Sequence, residues 1–139
     1  MTTPTPTPGH NENGLPAGYP FKPQYEVTVN DAKAQLASGS LLIIDCRTQE
    51  EWDVVRVPGT VHIPLDQIEK RHDEVEPQPG QRVAVLCHHG VRSMRAALAL
   101  RALGHGDVLS VAGGIDAWSL AADPSVRRYE RGPSGSRLI

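Results

Sequence analysis

The sequence predicts an α/β fold in which a parallel β-sheet is covered by helices on both faces. Three observations indicate this fold. Short apolar runs alternate with segments of helical character from residue 25 onward. Two of these runs, residues 41–45 and 82–87, are apolar at nearly every position, which is typical of strands buried on both faces. Helix-like segments separate the successive runs, as the crossover connections of a parallel sheet require.

The first half of the predicted sheet alternates strands and helices in a regular order. Residues 25–29 (YEVTV) are predicted as an edge strand. Residues 30–38 are predicted as a helix that Asn30 caps and Gly39 ends, because Asn is a good N-cap and Gly a good helix stop. The strand LLIID follows, and we then expect a short helix at 48–55, a short strand at 60–64 and one helix at 65–74.

The second half contains the clearest signals. Residues 82–87 (RVAVLC) are the second central strand, and residues 92–103 (RSMRAALALRAL) form a regular helical pattern that Gly104 ends. A strand at 107–114 and a last helix at 115–122 complete the order. Ligands bind at the carboxyl ends of the strands in such folds, which singles out Asp45, Cys87 and the turn at Gly113 and Gly114.

Composition limits the class of protein. The 139 residues are enough for one domain with a substantial core and too few for two ordinary ones. A hydrophobic content of 39%, a charged content of 22% and a net charge of -2 predict a soluble protein that has no electrostatic reason to bind nucleic acid or a membrane. The first ten residues lack the blocks of a secretory signal, and two cysteines are too few for a disulfide framework. We therefore expect a cytoplasmic protein.

Composition also divides the chain into three parts. Residues 1–23 are rich in Pro, Thr, Gly and Asn, so we expect a flexible arm that only Tyr19 and Phe21 attach to the domain. Residues 24–124 form the single domain. Residues 125–139 are predicted as a basic, loosely attached tail.

A cysteine stands at the junction between the second central strand and the clearest helix. The segment CHHGVR, residues 87–92, can curl so that successive amide N–H groups point towards the Cys87 sulfur, and such backbone nests favour an anion. Gly90 lets the backbone turn, and Arg92 and Arg95 add positive charge. Such settings lower a thiol pKa well below about 8.5, so we expect Cys87 to be an accessible thiolate nucleophile at neutral pH.

Four segments of the chain resemble the rhodanese family of sulfurtransferases. CHHGVRS matches the family's active-site pattern of Cys, two variable residues, Gly, one variable residue and Arg. LLIIDCRTQEEW is similar to the family's first signature, and VPGTVHIPL and VLSVAGGIDAWSL resemble two further segments, in the family's order. The resemblance implies a rhodanese-like fold, with a mainly parallel sheet of five strands flanked by helices on both faces.

The resemblance also implies a chemistry. Cys87 would attack a sulfur donor such as thiosulfate, carry the sulfur as a persulfide and pass it to cyanide, a thiol or a protein acceptor. Neither a cofactor nor a metal is implied. The residues that would bind the donor and the persulfide are His88, His89, Gly90, Val91, Arg92 and Ser93, while Asp45, Arg47 and Glu51 would form a charged brace near the loop.

Several residues have both a structural and a functional interpretation. Cys46 is interpreted as an inert core thiol, the alternative being a disulfide with Cys87. Arg56 follows Val55 where the family usually has Gly-His, and we expect it to be exposed rather than to bind an anion. Trp118 is expected in the core.

The histidines do not predict a metal site. His88 and His89 follow Cys87 directly, and three consecutive residues cannot all point at one ion without contortion. We expect the two histidines to line the pocket and to tune its charge near neutral pH. His62, His72 and His105 are expected at the surface or in ordinary hydrogen bonds.

Two other functions compete with sulfur transfer. Phosphatases and arsenate reductases of similar fold place one more residue between Cys and Arg than this chain does, and the tighter loop suits a terminal sulfur better than a phosphate. Non-catalytic modules of the rhodanese-like fold generally lack the cysteine, whereas this chain has Cys87, Gly90 and Arg92. Whether the chain is an enzyme or a persulfide carrier stays open on the sequence.

Overall fold

The structure is a computed structural model that describes residues 5–139. This part of the chain contains seven strands and five α-helices. In chain order they are β1 (Glu26–Val27), α1 (Val29–Ser38), β2 (Leu41–Asp45), α2 (Gln49–Val54), β3 (Val61–His62), α3 (Ile68–Arg71), β4 (Arg82–Leu86), α4 (Val91–Ala102), β5 (Leu109–Val111), α5 (Gly114–Ala117), β6 (Tyr129–Gly132) and β7 (Gly135–Leu138). Five strands form one sheet in the order β1–β5–β4–β2–β3, in which every pair is parallel. The predicted fold class is confirmed.

Side chains that alternate along the central strands supply two cores, one on each face of the sheet. Ile43 of β2 and Leu86 of β4 pack in the core that also contains residues of α1 and α5. Ile44 and Val85 pack in the other core, with residues of α3 and α4. Because both faces are covered, these strands are apolar along most of their buried length, and only Arg82 at the start of β4 is a polar exposed residue.

The ends of α1 follow from local capping. The helix begins at Val29 because Thr28 Oγ1 accepts a hydrogen bond from the Asp31 amide at 3.2 Å. The prediction of Asn30 as the cap is wrong, since the Asn30 side chain donates to the Glu12 carbonyl instead. Gly39 ends the helix in the left-handed conformation, as predicted.

Two predicted helices are interrupted. The segment 65–74 is not one helix: a 3-10 turn at Leu65–Gln67, the four-residue α3 and a second 3-10 turn at His72–Glu74 follow one another, and no side chain caps them. The last helix consists of α5 and a π-helical turn at Trp118–Ala122. Trp118 is buried in the core, as predicted.

Parts of residues 5–23 and 125–139 contact the domain more closely than we expected; residues 1–4 of the predicted arm lie outside the described residues. In the arm, Leu15 is 2% exposed, whereas the expected anchor Phe21 is 36% exposed; Tyr19 donates a hydrogen bond to Glu26. In the tail, β6 and β7 pair as an antiparallel hairpin, and Tyr129 is buried. The expectation of a loose tail is therefore wrong at this hairpin, because burial of the Tyr129 ring and the partners of its hydroxyl hold the hairpin on the domain.

None of the helices within residues 5–139 combines the length and the apolar character needed to cross a membrane.

Candidate active site

The carboxyl ends of β2, β4 and β5 meet at one edge of the sheet. The Cys46 amide donates to the Leu86 carbonyl at 2.9 Å, and the Ile115 amide donates to the Cys87 carbonyl at 2.8 Å. Gly114 has a φ of +63°, and a Cβ atom there would lie 2.5 Å from the Cys87 carbonyl oxygen, so the turn can approach the cysteine only as glycine. The structure therefore brings together the three features that the strand-end rule singled out.

The Cys87 sulfur lies among hydrogen-bond donors. The Gly90 amide donates to Sγ at 3.0 Å, and Ser93 Oγ lies 3.3 Å from Sγ. The hydrogen bond from the Cys46 thiol lowers the pKa of Cys87 most; burial opposes this effect, and hydrogen bonds from Ser93 and Gly90 add to it, so that the pKa falls to about 5. Cys87 is therefore a thiolate at neutral pH, in agreement with the expectation from the loop sequence.

Ser110 is a member of this network that the sequence analysis missed. It is buried in the middle of β5, and its hydroxyl lies 2.7 Å from Ser93 Oγ. When Ser93 donates its only proton to the thiolate, Ser110 is placed to donate to Ser93 in turn. The signal in the sequence was a hydroxyl residue between Leu109 and Val111 in an otherwise apolar strand.

Four amide N–H groups of the loop have no protein acceptor. In the loop 88–92, the amides of His88, His89, Val91 and Arg92 donate no hydrogen bond to an acceptor within residues 5–139. Gly90, with a φ of +102°, is the N-cap of the twelve-residue α4, so the last two amides belong to the first turn of a helix. Unpaired amides at a helix amino terminus attract an anion, which a second sulfur on Cys87 would supply.

The Cys87 sulfur is enclosed, which differs from the accessible thiolate that we expected. Cys87 is 1% exposed, whereas His89 is exposed and Val91 is 73% exposed. The groups that donate hydrogen bonds to the Cys87 sulfur also shield it from solvent. A cavity of about 740 Å³ beside the loop is lined by Cys46, Arg92, Arg95 and Arg131, among others, but not by Cys87. A sulfur donor therefore reaches Sγ only when side chains next to the loop move.

Asp45 and Arg47 form a buried ion pair below the loop. Arg47 Nη2 lies 2.7 Å from Asp45 Oδ2, and Arg47 Nε lies 3.0 Å from both carboxylate oxygens. Arg47 also donates to the Val55 carbonyl at 2.8 Å. With these partners the two buried charges compensate each other, and Arg47 ties the end of β2 to the end of α2.

Glu51 links α2 to the active-site loop. Its carboxylate accepts two hydrogen bonds from Arg92, at 2.7 and 2.9 Å, and one from the Tyr129 hydroxyl at 2.5 Å. Glu51 also forms a capping box with Thr48. Burial alone would raise the pKa of Glu51, but the hydrogen bonds from Arg92, Tyr129 and Thr48 hold it far below its ordinary value. The expected charged brace is present as two ion pairs.

Tyr129 joins the two ion pairs, and the sequence analysis missed it. Its hydroxyl donates to Glu51 and accepts from Arg47 Nη1 at 3.3 Å. Its ring stacks on His88, with 4.1 Å between ring centroids. Tyr129 lies on β6, and no pattern in the tail placed that hairpin beside the loop.

His88 and His89 have different environments. His88 is buried and its Nε2 lies 3.2 Å from the Tyr129 carbonyl oxygen, an acceptor, so Nε2 carries the proton. Burial, followed by the nearby His89, lowers the pKa of His88 to about 4. His88 is therefore neutral at pH 7, and the expectation that it tunes the charge of the pocket near neutral pH is wrong. His89 is exposed, and its Nδ1 lies 4.0 Å from Asp116.

The remaining single residues lie largely as predicted. Arg56 is exposed, with its guanidinium 5.1 Å from the Trp52 ring centroid. His62 Nε2 lies 2.7 Å from the Arg47 carbonyl oxygen, and His72 and His105 hydrogen-bond each other at 2.8 Å. Cys46 is buried and its pKa is raised, as expected of an unreactive core thiol, and its thiol is also a neighbour of Cys87.

A thiolate held by amides between a parallel strand and the helix after it defines a class of α/β proteins that carry a cysteine nucleophile. The family model for the rhodanese-like domain matches residues 28–121. The chain belongs to the rhodanese-like domain family. The matched segment includes the loop and the brace residues of β2 and α2, and it ends before β6 and Tyr129.

Several relatives carry names that refer to sulfur chemistry. YrkF of Bacillus subtilis, named as a sulfur carrier protein, is 35% identical over 95 residues, which are 68% of this chain and 50% of YrkF. "Adenylyltransferase and sulfurtransferase MOCS3" of Sus scrofa is 32% identical over 128 residues, covering 78% of this chain and 28% of that protein. A solved thiosulfate sulfurtransferase from Pseudomonas aeruginosa has a TM-score of 0.63 and 26% identity, covering 69% of this chain and 19% of that one. The chain thus spans half or less of each of these relatives.

Proposed function

We propose that the chain is a sulfurtransferase that moves a sulfane sulfur from thiosulfate or a related donor to cyanide or a thiol, through a persulfide on Cys87. The observation that carries the proposal is the Cys87 sulfur itself, which accepts a hydrogen bond from the Gly90 amide at 3.0 Å and has a pKa of about 5. The names of the sulfurtransferase relatives support the same chemistry.

In the first step, the Cys87 thiolate attacks the outer sulfur of thiosulfate. A bond forms between that sulfur and Sγ, the bond to the sulfonate sulfur breaks, and sulfite leaves with the electron pair. The negative charge moves from Sγ to the new terminal sulfur. The unpaired amides of the loop, those of His88, His89, Val91 and Arg92, would stabilise it there.

In the second step, cyanide or a thiolate attacks the terminal sulfur, and Cys87 leaves as a thiolate. The low pKa of Cys87 makes it a good leaving group, since a more stable thiolate leaves faster. Gly90, Ser93 and Cys46 would again stabilise the anion on Sγ. The same donors therefore serve both halves of the reaction.

Arg92 would attract an anionic sulfur donor together with other cationic side chains. Both of its outer nitrogens are bonded to Glu51, so its charge is partly neutralised in the free protein. Arg95 and Arg131 line the same cavity and would add attraction for an anionic donor. Asp45, Arg47 and Glu51 would position the loop without contacting the reacting sulfur.

A persulfide carrier is the second candidate, and the enclosure of Cys87 favours it. A sulfur held on a residue that is 1% exposed is shielded from water and from chance thiols until a partner opens the loop. YrkF carries a name of this kind. For either candidate the acceptor in the cell would be a small thiol, cyanide or a protein. The proposed cytoplasmic location accords with Cys46 and Cys87 both being free thiols.

Intact mass spectrometry tests the proposal. The reduced chain, incubated with thiosulfate and desalted, should gain about 32 Da, the mass of one sulfur atom bound to the attacking thiolate, and peptide mapping should place it on Cys87. Cyanide should remove it as thiocyanate, and Cys87→Ser should gain nothing. Repeated turnover with cyanide identifies an enzyme, and one slow turnover identifies a carrier. No sulfur gain from thiosulfate, mercaptopyruvate or a low-molecular-weight persulfide would overturn the proposal, as would hydrolysis of an aryl phosphate in place of sulfur transfer.

A further inference from the structure

We propose a second reaction of the loaded chain: Cys46 attacks the persulfide on Cys87, releases its outer sulfur as sulfide and leaves a Cys46–Cys87 disulfide. The inference rests on the proposed function, since the reaction begins from the Cys87 persulfide. It gives the chain a sulfide-releasing activity when no acceptor is bound.

The sheet register places the two cysteines side by side. Asp45 of β2 pairs with Leu86 of β4 in the parallel sheet, and Cys46 and Cys87 are the next residues of the two strands. The ladder continues into this position, because the Cys46 amide donates to the Leu86 carbonyl at 2.9 Å. Neighbouring strands lie about 4.8 Å apart, which falls within the Cα separation of about 4.4–6.8 Å that disulfides require.

Both sulfurs lie on the same face of the sheet. Two residues earlier on each strand, Ile44 and Val85 pack in the core on the α4 side, and Cys46 and Cys87 belong to the same core. Leu86, which lies between Val85 and Cys87 on β4, packs in the opposite core. Residues two apart on a strand share a face, so this alternation directs both cysteines to the α4 side.

The surroundings permit attack and release. Both cysteines are buried free thiols, so external thiols compete poorly for the persulfide until the loop opens. Displacement at Cys87 Sγ is in line, so the outer sulfur departs on the side of Sγ away from Cys46, towards the loop amides.

The reaction balances without an external oxidant. Cys46 Sγ forms a bond to Cys87 Sγ, and the bond between Cys87 Sγ and the outer sulfur breaks with its electron pair on the outer sulfur. The Cys46 proton passes to that sulfur, which leaves as HS⁻. The two cysteine sulfurs are oxidised to the disulfide, and the sulfane sulfur is reduced to sulfide. A dithiol reductant would then restore both thiols.

The ionisation of Cys46 makes this reaction slower than transfer to a bound acceptor. Its hydrogen bond to Cys87, and then burial, raise the pKa of Cys46 well above its ordinary value, so it attacks only as its proton leaves. A thiol with little thiolate is a slow nucleophile. An acceptor that enters as a thiolate should therefore take the sulfur first, and sulfide release should occur when the acceptor is missing.

The test compares the wild-type chain with Cys46→Ser, which keeps a hydroxyl donor near Cys87 and removes the second sulfur. Both proteins are loaded with thiosulfate without oxygen, desalted and incubated without acceptor. The wild type should lose the added mass of about 32 Da, end about 2 Da below the reduced chain and release about one sulfide per chain, as disulfide formation requires. Cys46→Ser should keep the added sulfur at least about tenfold longer.

Each outcome bears on one proposal. Equal rates of sulfur loss in the two proteins, or sulfide release without a Cys46–Cys87 disulfide by peptide mapping, overturn the inference. Failure of both proteins to gain sulfur overturns the proposed function instead. In that case a persulfide installed with inorganic polysulfide tests the attack by Cys46 directly. Should Cys46→Ser fold poorly, the mass and the sulfide yield of the wild type alone decide the matter.

Discussion

Cys87 owes its charge to a small number of neighbouring atoms. The donors that lower its pKa to about 5 are the Cys46 thiol, Ser93 and the Gly90 amide. The residue thought inert, Cys46, is the first of these. Because the Cys46 thiol donates to the Cys87 thiolate, this contact lowers the pKa of Cys87 and raises that of Cys46. The contact between the two sulfur atoms thus makes Cys87 the nucleophile and keeps Cys46 protonated.

Glu51→Gln is expected to destabilise the protein. Glu51 accepts charge-assisted hydrogen bonds from Arg92 and one from Tyr129, and the neutral amide would leave the guanidinium without its anion. We expect a loss of about 2–3 kcal/mol in the free energy of unfolding, measured with urea and tryptophan fluorescence. Glu76→Gln, at an exposed site whose carboxylate has no hydrogen-bond partner in residues 5–139, should change it little. Equal effects of the two substitutions would contradict this role for Glu51.

The contribution of Glu51 should also depend on pH. Its pKa is lower in the folded than in the unfolded chain, so its stabilisation is complete above the unfolded pKa of about 4.3 and is lost as pH falls towards the folded value. Between about pH 7 and pH 3, the difference in unfolding free energy between the wild type and Glu51→Gln should therefore stay constant down to about pH 4.3 and shrink below it. A difference that stays constant across this range would show that Glu51 does not act through its charge.

The C-terminal hairpin supports the loop from outside the segment that the family model matches. Tyr129 of β6 bonds to Glu51 and Arg47 and stacks on His88. On α2, Glu50 accepts hydrogen bonds from Ser136 of β7, at 2.9 Å from its hydroxyl and 3.0 Å from its amide. The hairpin thus holds both α2 and the loop, and it lies outside the matched residues 28–121.

Tyr129→Phe should lower both stability and sulfur transfer. The substitution keeps the ring on His88 and removes the hydroxyl that joins Glu51 to Arg47, so we expect a loss of about 1–2 kcal/mol in the free energy of unfolding and slower loading of Cys87 with sulfur. Tyr25→Phe is the control, because the Tyr25 hydroxyl has no hydrogen-bond partner in residues 5–139. If both variants behave alike in urea unfolding and in sulfur loading, Tyr129 does not support the site.

The turn after β5 sets the position of Cys87 through glycine. A Cβ at Gly114 would lie 2.4 Å from the His88 carbonyl oxygen, whereas Gly106, at a similar positive φ, has nothing within 4 Å of its Cβ position. Gly106→Ala should cost about 1–2 kcal/mol of backbone strain. Gly114→Ala should cost about 1–3 kcal/mol more and slow sulfur loading, because the backbone of the loop must move. Comparable losses in urea unfolding would show that the approach of this turn is not tight.

At the scale of the whole molecule, the parts that could be predicted are those whose partners lie close in sequence or at strand ends. The apolar runs around Ile43 and Val85 predict buried strands, and their parallel order places Cys87 near Asp45. Asp45, Arg47 and Glu51 lie within seven residues, so their spacing permits charge pairing near the strand end, although the pairing of Glu51 with Arg92 depends on another element. These signals are local, and the structure adds little to them except distances.

The missed features depend on tertiary contacts. Tyr129 lies in a segment without helical or strand periodicity, and it reaches Glu51 only because the hairpin folds back over α2. Ser110 acts through Ser93, a residue on another element. The enclosure of Cys87 and the low pKa of His88 follow from burial, which no single segment of sequence determines. Such contacts can be predicted only when the register of the entire sheet is known.

The pH titration of the Cys87 thiolate tests the account most directly. Thiolate absorbance near 240 nm, taken as the difference between the wild type and Cys87→Ser, should rise with a midpoint near pH 5, because donors at the strand end stabilise the anion. A midpoint near the value of about 8.5 for a free cysteine would contradict the account.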